Sequence, residues 1–155
     1  MRSVNDIASL STEYVTAMIG GQLFGLPIAR VQDVFVPNRL TPVPLSSHEI
    51  SGILNLRGRI VTVIDMRHRL GVPQQTSEGL SMAIGIECRG ESYGLLIDGI
   101  GEVMRLPDSI RENNPVNLDA RIAQVSSGIF RLDSQLLVVL DVERVLHVGA
   151  QIKAA

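Results

Sequence analysis

The order of apolar and polar residues along the chain predicts a protein built mostly from short β-strands. Apolar and polar residues alternate in the first segment and apolar residues form short runs in the others, with turn-forming Gly, Pro, Asn and Asp between them. Short bounded runs of this kind are typical of strands that bury one or both faces. The predicted strands are residues 13–20, 23–28, 60–64, 81–87, 93–97 and 136–140.

Three short helices are predicted between the strands, at residues 29–35, 65–70 and 141–148. The second and third begin at Asp65 and Asp141, whose carboxylates can accept hydrogen bonds from the free N–H groups of a first helical turn. None of the three is long enough to organise the molecule. The fold class is therefore expected to be mostly β.

Two blocks of sequence recur in the same order, which predicts an internal duplication. Residues 21–34 align without gaps on residues 90–103 with five identities, and residues 52–70 align on residues 128–146 with six. The two offsets are close, so the pattern indicates two related, intertwined barrels of about five strands each.

The duplication predicts one domain at residues 12–149 with two barrel subdomains, roughly 36–80 and 80–140, and an N-terminal strand that crosses to the other unit. Residues 1–11 and 150–155 are expected to be flexible tails, because neither end has a sustained apolar face.

The repeat also separates positions that serve the fold from positions that are free to serve function. Leu56 and Leu132 are identical between the copies and are expected in the two cores. The next residue differs, because Arg57 in the first copy aligns with Asp133 in the second. A polar turn is thus predicted in both copies, and the turn itself does not require the arginine.

Composition and charge exclude several classes of partner. The chain has 155 residues, with 14 Lys and Arg against 16 Asp and Glu, a net charge of −2. No global positive field is available to hold a polyanion, so no nucleic acid is expected as a partner. No window approaches the roughly 20 apolar residues that span a bilayer, so no direct membrane insertion is expected.

Candidate catalytic chemistry is sparse. Cys88 is the single cysteine, and the histidines His48, His68 and His147 are far apart, without metal-ligand spacing. The glycines of residues 93–103 precede no Lys-Ser or Lys-Thr of a phosphate-binding loop. No catalytic, metal-binding or cofactor-binding residue is therefore predicted. A hydrolase using Cys88 and His68 remains as an enzymatic alternative.

The motifs in order, VQDV, then GILNLRG with IVTVID, then IDGIGEV, resemble those of the CheW-like chemotaxis coupling proteins over residues 13–148. That resemblance implies two SH3-like barrels and a cytoplasmic, non-enzymatic adaptor in a chemosensory array. It implies two partners, the cytoplasmic tips of transmembrane chemoreceptors and the regulatory domain of the histidine kinase CheA.

The resemblance also implies a receptor-binding surface. Residues 55–58 align with the N-L-R-G motif of the family. Residues 31–34 align with its V-x-E-[IV] stretch, with Asp33 in place of the usual glutamate. The resemblance identifies no kinase-binding residue. The implied receptor-binding residues are Asn55, Arg57, Gly58, Asp33 and Val34.

Two further alternatives share this fold. One alternative is a scaffold of a non-flagellar chemosensory pathway, such as surface motility, and the other is the coupling part of a larger signalling protein. No receiver-domain or kinase motif follows residue 148, which favours a single-domain scaffold.

Overall fold

A computed structural model describes residues 10–44, 49–73 and 82–147. The expected flexible tails, 1–11 and 150–155, lie outside these residues except for Leu10 and Ser11, and Ser11 begins the first strand. Ten strands confirm the prediction of a mostly β fold. They are β1 Ser11–Ile19, β2 Gln22–Pro27, β3 Val31–Phe35, β4 Ile50–Leu56, β5 Arg59–Asp65, β6 Met82–Cys88, β7 Glu91–Ile97, β8 Gly99–Pro107, β9 Ser126–Arg131 and β10 Leu136–Leu140.

Three short α-helices and two 3-10 turns complete the described chain. The helices are α1 Met66–Leu70, α2 Ala120–Val125 and α3 Val142–Val145, and the turns are Ile28–Arg30 and Asp108–Ile110. Asp65 caps α1 through the N–H of Arg67 at 2.9 Å, and Asp141 caps α3 through the N–H of Arg144 at 3.2 Å. Both predicted aspartate caps are therefore confirmed, although Val148 lies outside the described residues.

The predicted helix at 29–35 is wrong. Only the 3-10 turn Ile28–Arg30 forms there, and β3 follows it, paired antiparallel with β6 from Val31 opposite Ile86 to Phe35 opposite Ala83. Seven residues are too few to hold a helix without tertiary support, and the sheet supplies partners for a strand instead. Helix α2, capped by the carboxylate of Asp119, was not predicted.

The strands form two five-stranded sheets that exchange strands between the two repeats. Sheet 1 has the order β8-β1-β2-β10-β9, and sheet 2 has the order β3-β6-β7-β5-β4. Shifting each strand number by five converts one order into the other. Each repeat thus gives its first two strands to one sheet and its last three to the other. The prediction of two intertwined five-stranded units is confirmed.

The predicted division of the units near residue 80 does not match the sheets. Strands β6 and β7 follow residue 80, yet they lie in sheet 2 with β3, β4 and β5. The reason is the exchange, which places β7 parallel to β5 and, in sheet 1, β10 parallel to β2. A sequence repeat predicts the order of the strands along the chain, but it does not predict which of the two repeats provides the strand that pairs with a given strand in the sheet.

Each barrel closes at a glycine of the same backbone conformation, and this shared geometry supports the internal duplication inferred from the sequence. Gly52 in β4 has φ 155° and Gly128 in β9 has φ 153°. A Cβ on either glycine would meet a backbone carbonyl oxygen, that of Thr41 at 2.6 Å or that of Glu112 at 2.8 Å. Those carbonyls belong to the segments that pair with β4 and β9. Glycine is needed at both positions because the chain closing each barrel lies against it.

The described residues form three apolar clusters, one inside each barrel and the largest between the sheets. Alternate residues of one strand therefore enter different clusters. In β10, Leu137 and Val139 pack inside the barrel of sheet 1, whereas Val138 and Leu140 pack in the cluster between the sheets. Burial of both faces explains why these strands are continuous apolar runs.

An ion pair between Arg67 of α1 and Asp98 links the two sheets. Arg67 donates from Nε and Nη2 to the Asp98 carboxylate at 2.7 and 2.5 Å, and the N–H of Gly20 in the β1–β2 turn donates to the same carboxylate at 2.8 Å. Burial acts to raise the pKa of Asp98, but the hydrogen bonds from Arg67 and Gly20 outweigh it and lower the pKa below 3.8. Asp98 therefore connects the two sheets through its charge.

We expect Asp98→Asn to lower the free energy of unfolding by about 2 kcal/mol at pH 7, because Arg67 would lose a charged partner while largely shielded from water. The pKa of Asp98 is lower in the folded state, so its contribution is present above 3.8 and is lost as the pH falls through the folded-state value. Urea unfolding of both proteins from pH 7 to pH 2.5 should show the difference shrinking below about pH 4.

Asp133→Asn is the control, since Asp133 is exposed and forms no ion pair among the described residues. Its effect should stay within about 0.5 kcal/mol at every pH. A difference between parent and Asp98→Asn that does not change with pH would contradict the assignment of the carboxylate charge to this link.

Candidate functional site

The β4–β5 hairpin presents Arg57 at its tip in a left-handed backbone conformation. Arg57 has φ 53° and Gly58 has φ 82°, the signs required at the two central positions of a type I′ turn. The side-chain oxygen of Asn55 accepts the N–H of Gly58 at 2.9 Å. Asn55 and Gly58 therefore shape the turn, and Arg57 extends from it with 81% of its side chain exposed.

Asp33 of β3 lies beside this turn. Its carboxylate is 3.6 Å from Nη1 of Arg57, and 30% of its side chain is exposed. Strands β6 and β7 lie between β3 and the β4–β5 hairpin along the sheet, so the contact exists only because sheet 2 curls. Asp33 pairs with Gly85 of β6, where a Cβ would collide with the Asp33 carboxylate. Gly85 thus makes room for the acid.

Arg59 adds a second guanidinium to the site, which the sequence did not predict. Its Nη1 donates to the hydroxyl of Ser92 at 3.3 Å and to the side-chain oxygen of Gln32 at 3.5 Å. Arg57 and Arg59 flank a small cavity that also touches Phe35 and Leu56. A glycine inside a strand signals a close approach, so Gly85 could have been found from sequence; no signal marked Arg59.

Val34 is the one predicted site residue that lies apart from the others. Asp33, Val34 and Phe35 pair in register with β6, so successive side chains point to opposite faces of the sheet. Asp33 and Phe35 line the cavity, whereas Val34 is 38% exposed and does not line it. The structure thus brings four of the five residues together and places the fifth on the opposite face of β3.

The second repeat does not reproduce the Arg57 turn. Its hairpin closes through a bond from the N–H of Leu132 to the carbonyl of Gln135 at 2.9 Å, and Asp133 does not have a positive φ. A polar turn is thus present in both copies, as predicted, and the two turns differ in backbone conformation. The β6–β7 hairpin is the closer match, because Arg89 has φ 53° and Gly90 has φ 79°. Arg89 supplies an internal comparison for Arg57.

The surroundings of Cys88 do not favour a nucleophile. The thiol donates to the carboxylate of Glu143 at 2.9 Å, and Glu143 forms an ion pair with Arg30 at 3.0 Å. Burial, together with the hydrogen bond and negative charge of Glu143, raises the pKa of Cys88. His147 lines the cavity beside Cys88, and His68 does not. The pair Cys88 and His68 is therefore not assembled as a catalytic site.

Within the described residues, no three His, Cys, Asp or Glu side chains are grouped as a metal site would need. In the same part of the chain, no helix is both long and apolar enough to cross a membrane. The residues singled out by sequence thus form a protein surface with paired charges.

Comparisons with known proteins find similarity along nearly the whole chain. A family model described as the CheW-like domain matches residues 13–149. A chemotaxis protein CheW of Thermotoga maritima is 25% identical over 135 residues, 87% of this chain and 87% of the relative. One from Bacillus subtilis is 26% identical over 132 residues, 85% of each chain. The similarity therefore covers the fold as well as the hairpin motif.

A solved structure agrees with these matches. The crystal structure of the scaffolding protein TtCheW from Thermoanaerobacter tengcongensis has a TM-score of 0.80 and 27% identity, and the similarity covers 89% of both chains. The chemotaxis protein CheV3 of Helicobacter pylori is 24% identical over 161 residues, which cover 94% of this chain and 50% of that relative. Similar domains thus occur within longer proteins.

We expect Arg57→Asn to fold with unchanged or slightly higher stability, because Asn-Gly is the favoured pair in a type I′ turn. The exposed pair with Asp33 contributes little to stability, so its loss should cost at most about 0.5 kcal/mol. Arg89→Asn is the matched control for the turn. Urea unfolding measures both. A loss above about 1 kcal/mol for Arg57→Asn alone would indicate that the arginine holds the hairpin in place.

Proposed function

Because the chain belongs to the CheW-like domain family, we propose that it is a non-enzymatic adaptor that couples chemoreceptors to the histidine kinase CheA in a chemosensory array. The observation that carries the proposal is the match of the whole two-sheet fold to a scaffolding protein. The absence of an assembled nucleophile around Cys88 agrees with a role in binding.

The proposed receptor contact is the Arg57 turn together with Asp33. A guanidinium with 81% exposure can form a charge-assisted hydrogen bond with a carboxylate or carbonyl of the receptor tip. Asn55 and Gly58 act through the turn that holds Arg57, and Asp33 orients the guanidinium from β3. Val34 would contribute an apolar contact from the other face of β3.

The proposed kinase contact is an apolar barrel edge away from this turn, made with the regulatory domain of CheA. Strand β8 is at the edge of sheet 1 and, among the strands of the described residues, pairs with β1 alone. It exposes Ile100 and Val103, at 41% and 50%. Unpaired strand edges with aliphatic side chains associate readily with similar domains. Because receptor tips and the kinase act in the cytoplasm, the adaptor would act there too, recruited to receptor arrays.

A non-flagellar chemosensory pathway is the alternative within the same fold, since the receptor surface would serve either behaviour. The relative CheV3 is about twice as long as the matched region, which keeps the coupling part of a larger signalling protein as a second possibility. The cysteine hydrolase is disfavoured by the raised pKa of Cys88.

We expect Arg57→Asp to weaken binding of a chemoreceptor signalling tip by about 1 to 3 kcal/mol, since it removes a charge-assisted contact and adds repulsion. Asp tolerates a positive φ, so folding should be nearly unchanged. Calorimetric titration measures binding to the tip and, separately, to the kinase regulatory domain, which should persist. Arg89→Asp and Asp133→Arg are controls expected to bind the tip like the parent. Equal tip binding by Arg57→Asp would remove the functional role of this arginine.

We expect the pure protein to leave ATP intact and to raise receptor-dependent autophosphorylation of a cognate kinase. Radiolabelled ATP assays with receptor, kinase and adaptor measure both quantities. Cys88→Ser should keep full adaptor activity, because serine retains a donor for Glu143. An ATPase or hydrolase activity that disappears in Cys88→Ser would instead identify an enzyme.

A further inference from the structure

We infer that the receptor-facing surface continues past Arg57 into a second groove, which takes the apolar face of an acidic amphipathic helix. This groove, called the Arg39 groove, is a cavity of about 500 Å³ bordered by Val36, Arg39, Asn55 and Ile60. The inference rests on the proposed function, because it assigns the helix to the receptor tip.

The Arg39 groove offers apolar surface that the folded chain leaves uncovered. Ile60 is 60% exposed and Val36 is 38% exposed. Leu56, which is partly buried, also lines this groove. Ile60 lies directly opposite Asn55 in the β4–β5 pair, so a large aliphatic side chain stands beside the polar group that shapes the Arg57 turn. Exposed apolar surface rimmed by polar groups is typical of protein-binding sites.

The groove is continuous with the cavity beneath Arg57 and Arg59. Phe35 and Leu56 line both cavities. One surface therefore runs from the two arginines of the hairpin, over these two side chains, to Arg39 and Ile60. A partner that contacts Arg57 and lies along this surface reaches the Arg39 groove without a change in the backbone.

The positive charge along this surface favours an acidic partner. Among the described residues, the two cavities are lined by three arginines, Arg39, Arg57 and Arg59, and by one carboxylate, that of Asp33. The whole chain has a net charge of −2, so this local excess of positive charge departs from the rest of the molecule. Complementary charge accelerates association and sets the orientation of a bound partner.

The backbone around the groove favours a helix over an added strand. On the open side of β4, Ile53 already exchanges two hydrogen bonds with Thr41, at 2.8 and 2.9 Å. The segment that closes the barrel therefore occupies the position that an extended peptide would take. Binding there must use side chains, as when a helix lays its i, i+3, i+4 and i+7 side chains in a groove.

The test uses the full chain with Arg39→Asn and Ile60→Ser, titrated with a purified chemoreceptor signalling tip and, separately, with the kinase regulatory domain. Arg39 has φ 60°, which asparagine tolerates, and Ile60 is largely exposed, so both variants should fold. Each should weaken tip binding about tenfold and leave kinase binding unchanged. Arg89→Asn matches Arg39→Asn in residue type and backbone, and Val116→Ser matches Ile60→Ser as an exposed aliphatic residue.

A charge-reversal pair tests the acidic character of the helix. A signalling tip whose acidic residues are replaced one at a time by lysine should include one that binds the parent poorly and regains affinity for Arg39→Asp. Parent-like tip binding by both Arg39→Asn and Ile60→Ser, with Arg57→Asp still weakened, would overturn the groove while the proposed function stands. Weakened kinase binding with intact tip binding would also overturn it. A parent that binds no tip would overturn both proposals.

Discussion

The packing of the two sheets against each other is the contact from which the rest of the structure follows. The largest apolar cluster lies between them, and strands such as β2 and β10 are buried on both faces as a result. The opposite faces of these strands pack inside the barrels, where space is also short. A Cβ on Gly25 would come within 2.9 Å of Leu137, and one on Gly94 within 3.0 Å of Phe35. These paired glycines are required by the interior and are shared by the two repeats for that reason.

The exchange of strands makes this packing obligatory for both repeats. Because β1 and β2 complete the sheet of β8, β9 and β10, neither repeat can form a whole barrel from its own strands in this arrangement. Shared positions such as Gly52 and Gly128 therefore carry the closure of both barrels. Positions at which the two repeats differ have a specific role in one repeat only. Asp98, opposite Ala29 in the repeat, binds Arg67 and fastens the sheets, and Arg57, opposite Asp133, forms the candidate site.

Sequence alone predicted the features that depend on local chemistry. Apolar runs identified strands, and Asp65 and Asp141 identified two helix starts, because caps and strand patterns are set by neighbouring residues. Features that depend on distant pairing were missed. The segment of β3 became a strand because β6 is available beside it, and the sheets divide the chain differently from the repeat. The proximity of Asp33 to Arg57 required the curl of sheet 2, and Arg59 carried no recognisable motif.

The contact between Asp33 and Arg57 also explains how the candidate site can remain open to a partner. The two charged groups are 3.6 Å apart at the surface, where such a pair contributes about 0 to 1 kcal/mol. Aspartate is one methylene shorter than the glutamate usual in the family, so its carboxylate remains close to β3 above Gly85 and does not enclose the guanidinium. Arg57 is thus oriented without being neutralised. An incoming carboxylate can displace this weak contact at little cost, whereas the fixed type I′ turn keeps the arginine from collapsing onto the sheet.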